Sequence, residues 1–211
     1  MTAPPNVPSS APYSALLQGR VFEAVVIGAS AGGVAALLEI LPGLPAGAPL
    51  PIVVVVHMMQ GRHSQLAEVF AQRMAMAVLE AEDKQPLAAG TVYFAPSGYH
   101  LSVESDHCFS LSCEAPHNFS RPAIDFIMAS AADVYGPALA GILLTGANHD
   151  GAAGLAAIGE AGGLTVVQDP AEAQVDVMPR AAIRQRAPDL VLPLREIRGL
   201  LAMLEQKLER S

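Results

Sequence analysis

Short runs of β-branched and apolar residues alternate along this chain with segments whose apolar positions recur every three or four residues. The first run, Val21 to Ile27, ends at Gly28, and Gly32-Gly33 follow it. Val34, Leu37, Leu38 and Leu41 then repeat at helical spacing until Pro42 and Gly43 stop them. Ile52 to Val56 is wholly β-branched, without the polar alternation of a half-buried strand, so it reads as a strand covered on both faces. Ser64 to Met74 reads as a helix, and Ala77 to Ala81 and Thr91 to Ala95 as further strands. His100 to Val103 and Cys108 to Cys113 alternate around a polar tip, the pattern of an antiparallel hairpin. Ile124, Ile127, Met128 and Ala131 predict a helix over Arg121 to Tyr135 with Pro122 in its first turn. Leu139 to Leu144 is a buried strand that runs into an Ala-rich helix after Gly151. Leu164 to Val167 and Leu190 to Leu192 complete the strands. Ile197, Leu200, Leu201, Leu204 and Leu208 form the core-facing stripe of a last helix.

Strands alternating with helices predict an α/β fold: a doubly wound, mostly parallel, Rossmann-like sheet of about seven strands with an inserted antiparallel hairpin. Residues 1–18 are rich in Pro, Ser and Ala without periodicity and are expected to be a mobile leader, which leaves 19–211 as one catalytic-size domain. The first residues lack both a basic start and an apolar run, so no signal peptide is expected. Prolines 42, 45, 49 and 51 break the apolar region between Ala24 and Met59, so no spanning helix is expected either. The expected setting is the cytoplasm.

Composition narrows the partners. Apolar residues make up 52% of the 211 and charged residues 15%, enough for a large core, and the net charge is −8. Without a Lys/Arg cluster, neither nucleic acid nor an anionic membrane is an expected partner. Cys108 and Cys113 form neither a disulfide framework nor a zinc spacing and are expected to be reduced. His63, His107, His117 and His149 follow no known ligand spacing, so they read as loop residues, and no metal or cofactor is called for.

Ligands of such sheets bind at the carboxyl ends of the strands. Gly28-Ala29-Ser30-Ala31-Gly32-Gly33 follows strand one, His57-Met58-Met59 strand two, and Ala147-Asn148-His149-Asp150 the strand ending at Leu144. A serine, a histidine and an aspartate therefore project from one edge. A serine hydroxyl becomes a nucleophile when an imidazole takes its proton, and the imidazole needs a carboxylate to fix its tautomer. Each residue also has a bland role: Ser30 or Asp150 could cap the helix that follows, and His57 could be a satisfied strand-end group.

Ile27-Gly28-Ala29-Ser30-Ala31-Gly32-Gly33 resembles the nucleophile segment of the CheB methylesterase family, and His57-Met58 its histidine segment. Tyr93-Phe94-Ala95-Pro96 with His100, then Arg121-Pro122 with Asp125, resemble further segments in the same order. Leu143-Leu144-Thr145-Gly146 with Asp150-Gly151-Ala152-Ala153-Gly154 resembles the aspartate segment, and Met178-Pro179-Arg180-Ala181-Ala182 matches near the end. The resemblance implies a catalytic triad of Ser30, His57 and Asp150 on a Rossmann-like sheet. The implied reaction is hydrolysis of glutamate γ-methyl esters on methylated chemoreceptors, with deamidation of receptor glutamines at the same site. Backbone N–H groups of Ala31 and Ala147 are the candidates for an oxyanion hole, and His100 and Arg121 are candidates on the substrate side.

Three positions depart from the resembled pattern. Ala147-Asn148-His149 stands where that family often has Met-Gly-Asn, Met59-Gln60 where it has two prolines, and Ser120 where a histidine is common. Only about 20 residues precede strand one, too few for the receiver domain of about 100 residues that full-length members carry, so activity is expected to be constitutive or gated by a separate protein. A degenerate docking module of a chemosensory complex is the alternative reading. A dinucleotide site fails because Ser30 replaces the middle glycine and His57 the expected acid. An α/β-hydrolase fails because its serine comes after several strands and its acid precedes its histidine.

Overall fold

The structure, a computed structural model, describes residues 13–57 and 65–206. Its centre is a seven-stranded, wholly parallel sheet in the order β3-β4-β2-β1-β7-β8-β9, formed by Ala77–Glu80, Thr91–Phe94, Ile52–Val56, Ala24–Ala29, Leu139–Leu143, Leu164–Gln168 and Leu190–Leu192 respectively. A separate antiparallel pair, β5 (His100–Val103) with β6 (Phe109–Ser112), is the expected hairpin. The helices are α1 (Ser14–Leu17), α2 (Gly33–Ile40), α3 (Leu66–Ala71), α4 (Ile124–Tyr135), α5 (Ala152–Glu160), α6 (Val177–Gln185) and α7 (Leu194–Gln206). Among the described residues, no helix is long and apolar enough to cross a membrane.

The unbroken apolar strands are explained by cover on both faces. All five residues of β2 are buried. Along β1, Val25, Ile27 and Ala29 pack with Leu37, Phe70, Ile197 and Leu200 on one side. Ala24 and Val26 face Ile127, Met128, Leu155 and Met178 on the other. β1 lies between β2 and β7, so the direction of strand addition reverses beside it, which is where such sheets open a crevice at their carboxyl ends.

Two expectations change. Tyr13 and Leu17, inside the segment expected to be mobile, are buried in the core against the α2–α7 side, so the order begins at least five residues earlier than composition suggests. Two aromatic or aliphatic anchors are sufficient to dock a short helix that has little propensity of its own. Pro122 is not in the first turn of α4, which starts at Ile124 with Ala123 as its N-cap residue. Residues 1–12 of the leader, Ser64 of the expected α3, the Met59-Gln60 departure, His63 and Leu208 lie outside the described residues.

The start of α4 sits unusually close to the sheet. A Cβ on Gly28 would lie 2.4 Å from Ile124 Cγ2, and one on Gly151, whose φ is +90°, 2.8 Å from the same atom. Both glycines thus let Ile124 wedge between the ends of β1 and β7. Gly28→Ala should overpack this contact and cost about 1–3 kcal/mol, read as a fall of several degrees in the thermal unfolding midpoint by circular dichroism.

Candidate functional site

Three chain segments are tied together at the crevice by their backbones. The Ser30 N–H donates to Thr145 O (2.9 Å) and the His57 N–H to Ala29 O (3.1 Å), so both residues are extensions of their strands. The Thr145 hydroxyl donates to Ala31 O (2.9 Å) and accepts the Val175 N–H (2.9 Å). Gly146 permits close approach to Ser30, since a Cβ there would lie 2.9 Å from Ser30 Cβ. Ser30 does not cap α2; Gly32 occupies that position, without a side-chain bond.

Asp150 is fully buried and is the most heavily bonded side chain of the site. Its Oδ2 accepts His57 Nε2–H at 2.7 Å and the Ile124 N–H at 2.7 Å, and its Oδ1 accepts the Asp125 N–H at 3.1 Å. It therefore caps α4, a helix remote in sequence, and not α5, which it immediately precedes. Asp125 answers from the first turn of α4: its Oδ1 accepts the N–H of Gly151 (2.9 Å) and of Gly154 (2.7 Å) at the start of α5. Each carboxylate closes the other's helix, and each sits at the positive end of a helix dipole.

The two carboxyls are pushed in opposite directions. Burial drives the Asp150 pKa up, but the hydrogen bond from His57, the Ile124 N–H, the histidine's charge and the Asp125 N–H outweigh it and hold the carboxyl below the ordinary range. Burial likewise drives Asp125 up. The Gly154 N–H opposes this, the Asp150 charge and hydrogen bonding add to it, and a His117 bond lowers it, leaving Asp125 raised. Asp150 is the ionised partner of the imidazole, so the His57 Nε2–H faces it and, in the neutral ring, the lone pair lies at Nδ1.

That second nitrogen is met by residues that strand-end reasoning missed. Ser120 Oγ lies 3.3 Å and Asn148 Nδ2 3.4 Å from His57 Nδ1, and Asn148 Nδ2 donates to Ser120 Oγ at 3.4 Å. Two departures from the resembled pattern, Ser120 and the Ala147-Asn148-His149 triplet, thus meet at one atom. Neither had a sequence signal beyond being a departure. The Ser30 hydroxyl makes no hydrogen bond among the described residues, so His57 and Asp150 are joined and Ser30 stands on the adjoining strand end without a bond to them. The N–H groups of Ala31 and Ala147 likewise donate to nothing among the described residues, and Ala147 is exposed.

Of the two substrate-side candidates, His100 is corrected. It is fully buried in β5, stacked on Phe126 at 4.1 Å, with Nε2 on Ala115 O (3.1 Å) and Nδ1 accepting the Ala123 N–H (3.2 Å). Both ring nitrogens are spent on the frame, which holds the approach to α4. Arg121 donates to the carbonyls of Cys113 (3.0 Å) and Glu114 (2.9 Å), so its guanidinium pins the loop after β6. Beside the carboxylates, His117, Asn118, His149, Arg184 and Gln185 line a cavity of about 460 Å³. Donor atoms of His117, Asp125 and Asp150 lie within 4.8 Å of one another, but all four carboxylate oxygens there already accept hydrogen bonds.

The reciprocal caps give a pH signature. A lowered Asp150 contributes stability that is present above its unfolded pKa and lost as pH falls through the folded one. A raised Asp125 subtracts stability as pH climbs from its unfolded value through its folded one. Asp125→Asn should abolish that second loss, so urea denaturation across acidic pH should give a flatter curve on its alkaline side. Asp125→Ala, which leaves the two buried N–H groups unpaired, should cost on the order of 2 kcal/mol or more at neutral pH.

Residues 25–201 match the family model described as CheB methylesterase. A putative protein-glutamate methylesterase/protein-glutamine glutaminase of Leptospira interrogans is 45% identical over 185 residues, 88% of this chain and 96% of that protein. A protein-glutamate methylesterase/protein-glutamine glutaminase of Anaeromyxobacter dehalogenans is 46% identical over 83% of this chain and 51% of its own length. The crystal structure of the Thermotoga maritima CheB methylesterase catalytic domain superposes with a TM-score of 0.83 at 35% identity, covering 87% of this chain and 98% of that one. With a family model matching most of its length, a matching fold and relatives at this identity, the chain belongs to the CheB methylesterase family.

Proposed function

We propose that this protein is a serine esterase that hydrolyses glutamate γ-methyl esters on chemoreceptor cytoplasmic helices, and deamidates glutamines there, with Ser30, His57 and Asp150 as its triad. The observation that carries the reading is the 2.7 Å bond between His57 Nε2 and the buried, ionised Asp150, at the sheet edge where Ser30 ends the neighbouring strand. The relatives' names supply the substrate class.

With Asp150 on Nε2, Nδ1 is the nitrogen that takes the Ser30 proton. An imidazole transfers a proton from either nitrogen provided the other is held, so the chemistry of the triad is kept. Ser30 Oγ attacks the ester carbonyl, and the negative charge that develops on its oxygen is met by the unpaired N–H groups of Ala31 and Ala147. Collapse expels methoxide, which leaves as methanol with the proton from Nδ1. Water, deprotonated at the same nitrogen, then releases the glutamate carboxylate, and a glutamine would release ammonia in the first step. In the resting state Ser120 and Asn148 occupy Nδ1. Ser120 Oγ also lies 3.5 Å from Asn118 O, an alternative acceptor that lets its proton swing away as Ser30 engages. A cytoplasmic setting completes the reading.

Methanol release from a methylated receptor fragment tests it. The wild type should be active and Ser30→Ala silent. Asp150→Asn, which forces the wrong tautomer, should be slower by about 10³ to 10⁴. A fluorophosphonate probe should label Ser30 in the wild type and lose its target in Ser30→Ala. A wild type that releases no methanol and leaves Ser30 unlabelled would make the chain a docking module instead.

A further inference from the structure

The turn that carries Ser120 to the catalytic imidazole also carries the most exposed large apolar side chain among the described residues. Phe119 is 98% exposed. Its neighbours in sequence are fixed: His117 and Ser120 exchange two backbone hydrogen bonds, 3.1 and 2.8 Å, across a four-residue turn. His117 Nε2 and Asn118 Nδ2 both reach Asp125 Oδ2 at 3.3 Å, and Ser120 Oγ reaches His57. Of the turn's side chains, the ring of Phe119 is the one without a partner among the described residues.

The backbone makes this placement more pointed. Asn118 and Phe119 have φ of +49° and +63°, the mirror-image turn whose central pair is most often Asn-Gly. Asparagine tolerates the left-handed region, but a phenylalanine there is unfavourable, and leaving its ring in water adds a second cost. Neither cost is offset by packing against any of the described residues. A ring projecting into solvent from a backbone-fixed turn beside a reactive centre is placed where an interface anchor is needed, because aromatics buried at the centre of an interface carry much of its binding energy.

Resting on the esterase reading above, we infer that Phe119 is a docking anchor for the polypeptide that bears the ester. Phe119 directly precedes Ser120, whose Oγ lies 3.3 Å from His57 Nδ1, so the ring stands beside the place where a chain would deliver an ester to Ser30. Charge supports the same occupant. On the other flank of the turn, the cavity shared by His117 and Asn118 ends at Arg184, which forms no ion pair or hydrogen bond among the described residues. A segment whose modified residues are glutamates has carboxylates to offer Arg184 and, on a helix, apolar neighbours three or four positions away to offer Phe119. The anchor sets affinity for the polypeptide and leaves the chemistry at the ester untouched.

Steady-state kinetics of the wild type and Phe119→Gly on two substrates tests this. Glycine suits the positive φ, so the turn persists without the ring. On a methylated receptor cytoplasmic fragment, KM should rise about tenfold with kcat nearly constant. On p-nitrophenyl acetate, which has no polypeptide to dock, kcat/KM should not move. Unchanged kinetics on the fragment would overturn the inference. So would an equal loss on both substrates, which would make the turn part of the catalytic frame. Binding of the fragment to Ser30→Ala with and without Phe119→Gly, read by fluorescence anisotropy, separates docking from turnover. If the wild type released no methanol, the esterase reading would fall, yet weaker binding on loss of the ring would still uphold the anchor and equal binding would overturn it. Loss of co-sedimentation with phosphatidylcholine–phosphatidylglycerol vesicles, with fragment binding intact, would assign the ring to a lipid surface and overturn it too.

Discussion

The arrangement of this site depends on one buried carboxylate. Asp150 has no access to water, and an ion in that position is tolerated only if protein donors replace its hydration. They do so from two directions: the free N–H groups of Ile124 and Asp125 open α4, and His57 supplies the third donor. A helix start always leaves such N–H groups without partners, so a charged acceptor stabilises the helix while the helix stabilises the charge. Asp125 returns the arrangement to α5 through Gly151 and Gly154. The pair locks two helices, the end of β7 and the imbedded Ile124 into one frame, and the imidazole is fixed to that frame.

This explains why one carboxyl and not the other holds the histidine. Both are drawn upward by burial, yet Asp150 gains the donors that favour its charge, while Asp125 feels the neighbouring charge of Asp150 itself. Two close acids with diverging pKa values divide into an ionised partner and a structural cap. Burial and the Asp150 charge disfavour a second charge at Asp125, against the Gly154 N–H and the His117 bond that favour it. The weaker, longer bonds from His117 and Asn118 fall on Asp125, and through them the 117–120 turn is tied to the same frame.

Much of this was legible in the chain, and the limits have physical causes. Ile52 to Val56 announced a doubly covered strand because no polar residue interrupts it, and the three strand-end residues followed from the sheet's polarity. The partner of Asp150 was not legible: a capping aspartate is normally read with the helix after it, whereas α4 begins 26 residues earlier in sequence and is brought near only by Ile124 fitting against Gly28 and Gly151. His100 misled for a related reason. Its position after a matching segment suggested the substrate side, but the fold stacks it on Phe126 and spends both nitrogens on backbone atoms. Tyr13 carries no periodic signal, since a single aromatic inserted into a core needs none.

The orientation of His57 follows from the same frame. Because Asp150 takes Nε2, the nitrogen left for the proposed proton transfer is Nδ1, the one nearer the ring's own backbone. A nitrogen in that position is crowded, and here it faces Ser120 and Asn148 while the Ser30 hydroxyl makes no hydrogen bond among the described residues. Two donors at 3.3 and 3.4 Å are long bonds, and one lone pair cannot serve both well. They hold the ring in plane more than they neutralise it, and a hydroxyl entering at normal hydrogen-bond length displaces them. In the proposed mechanism the Ser120–Asn148 pair belongs to the resting geometry, and the productive one requires that two weak contacts yield to one strong one.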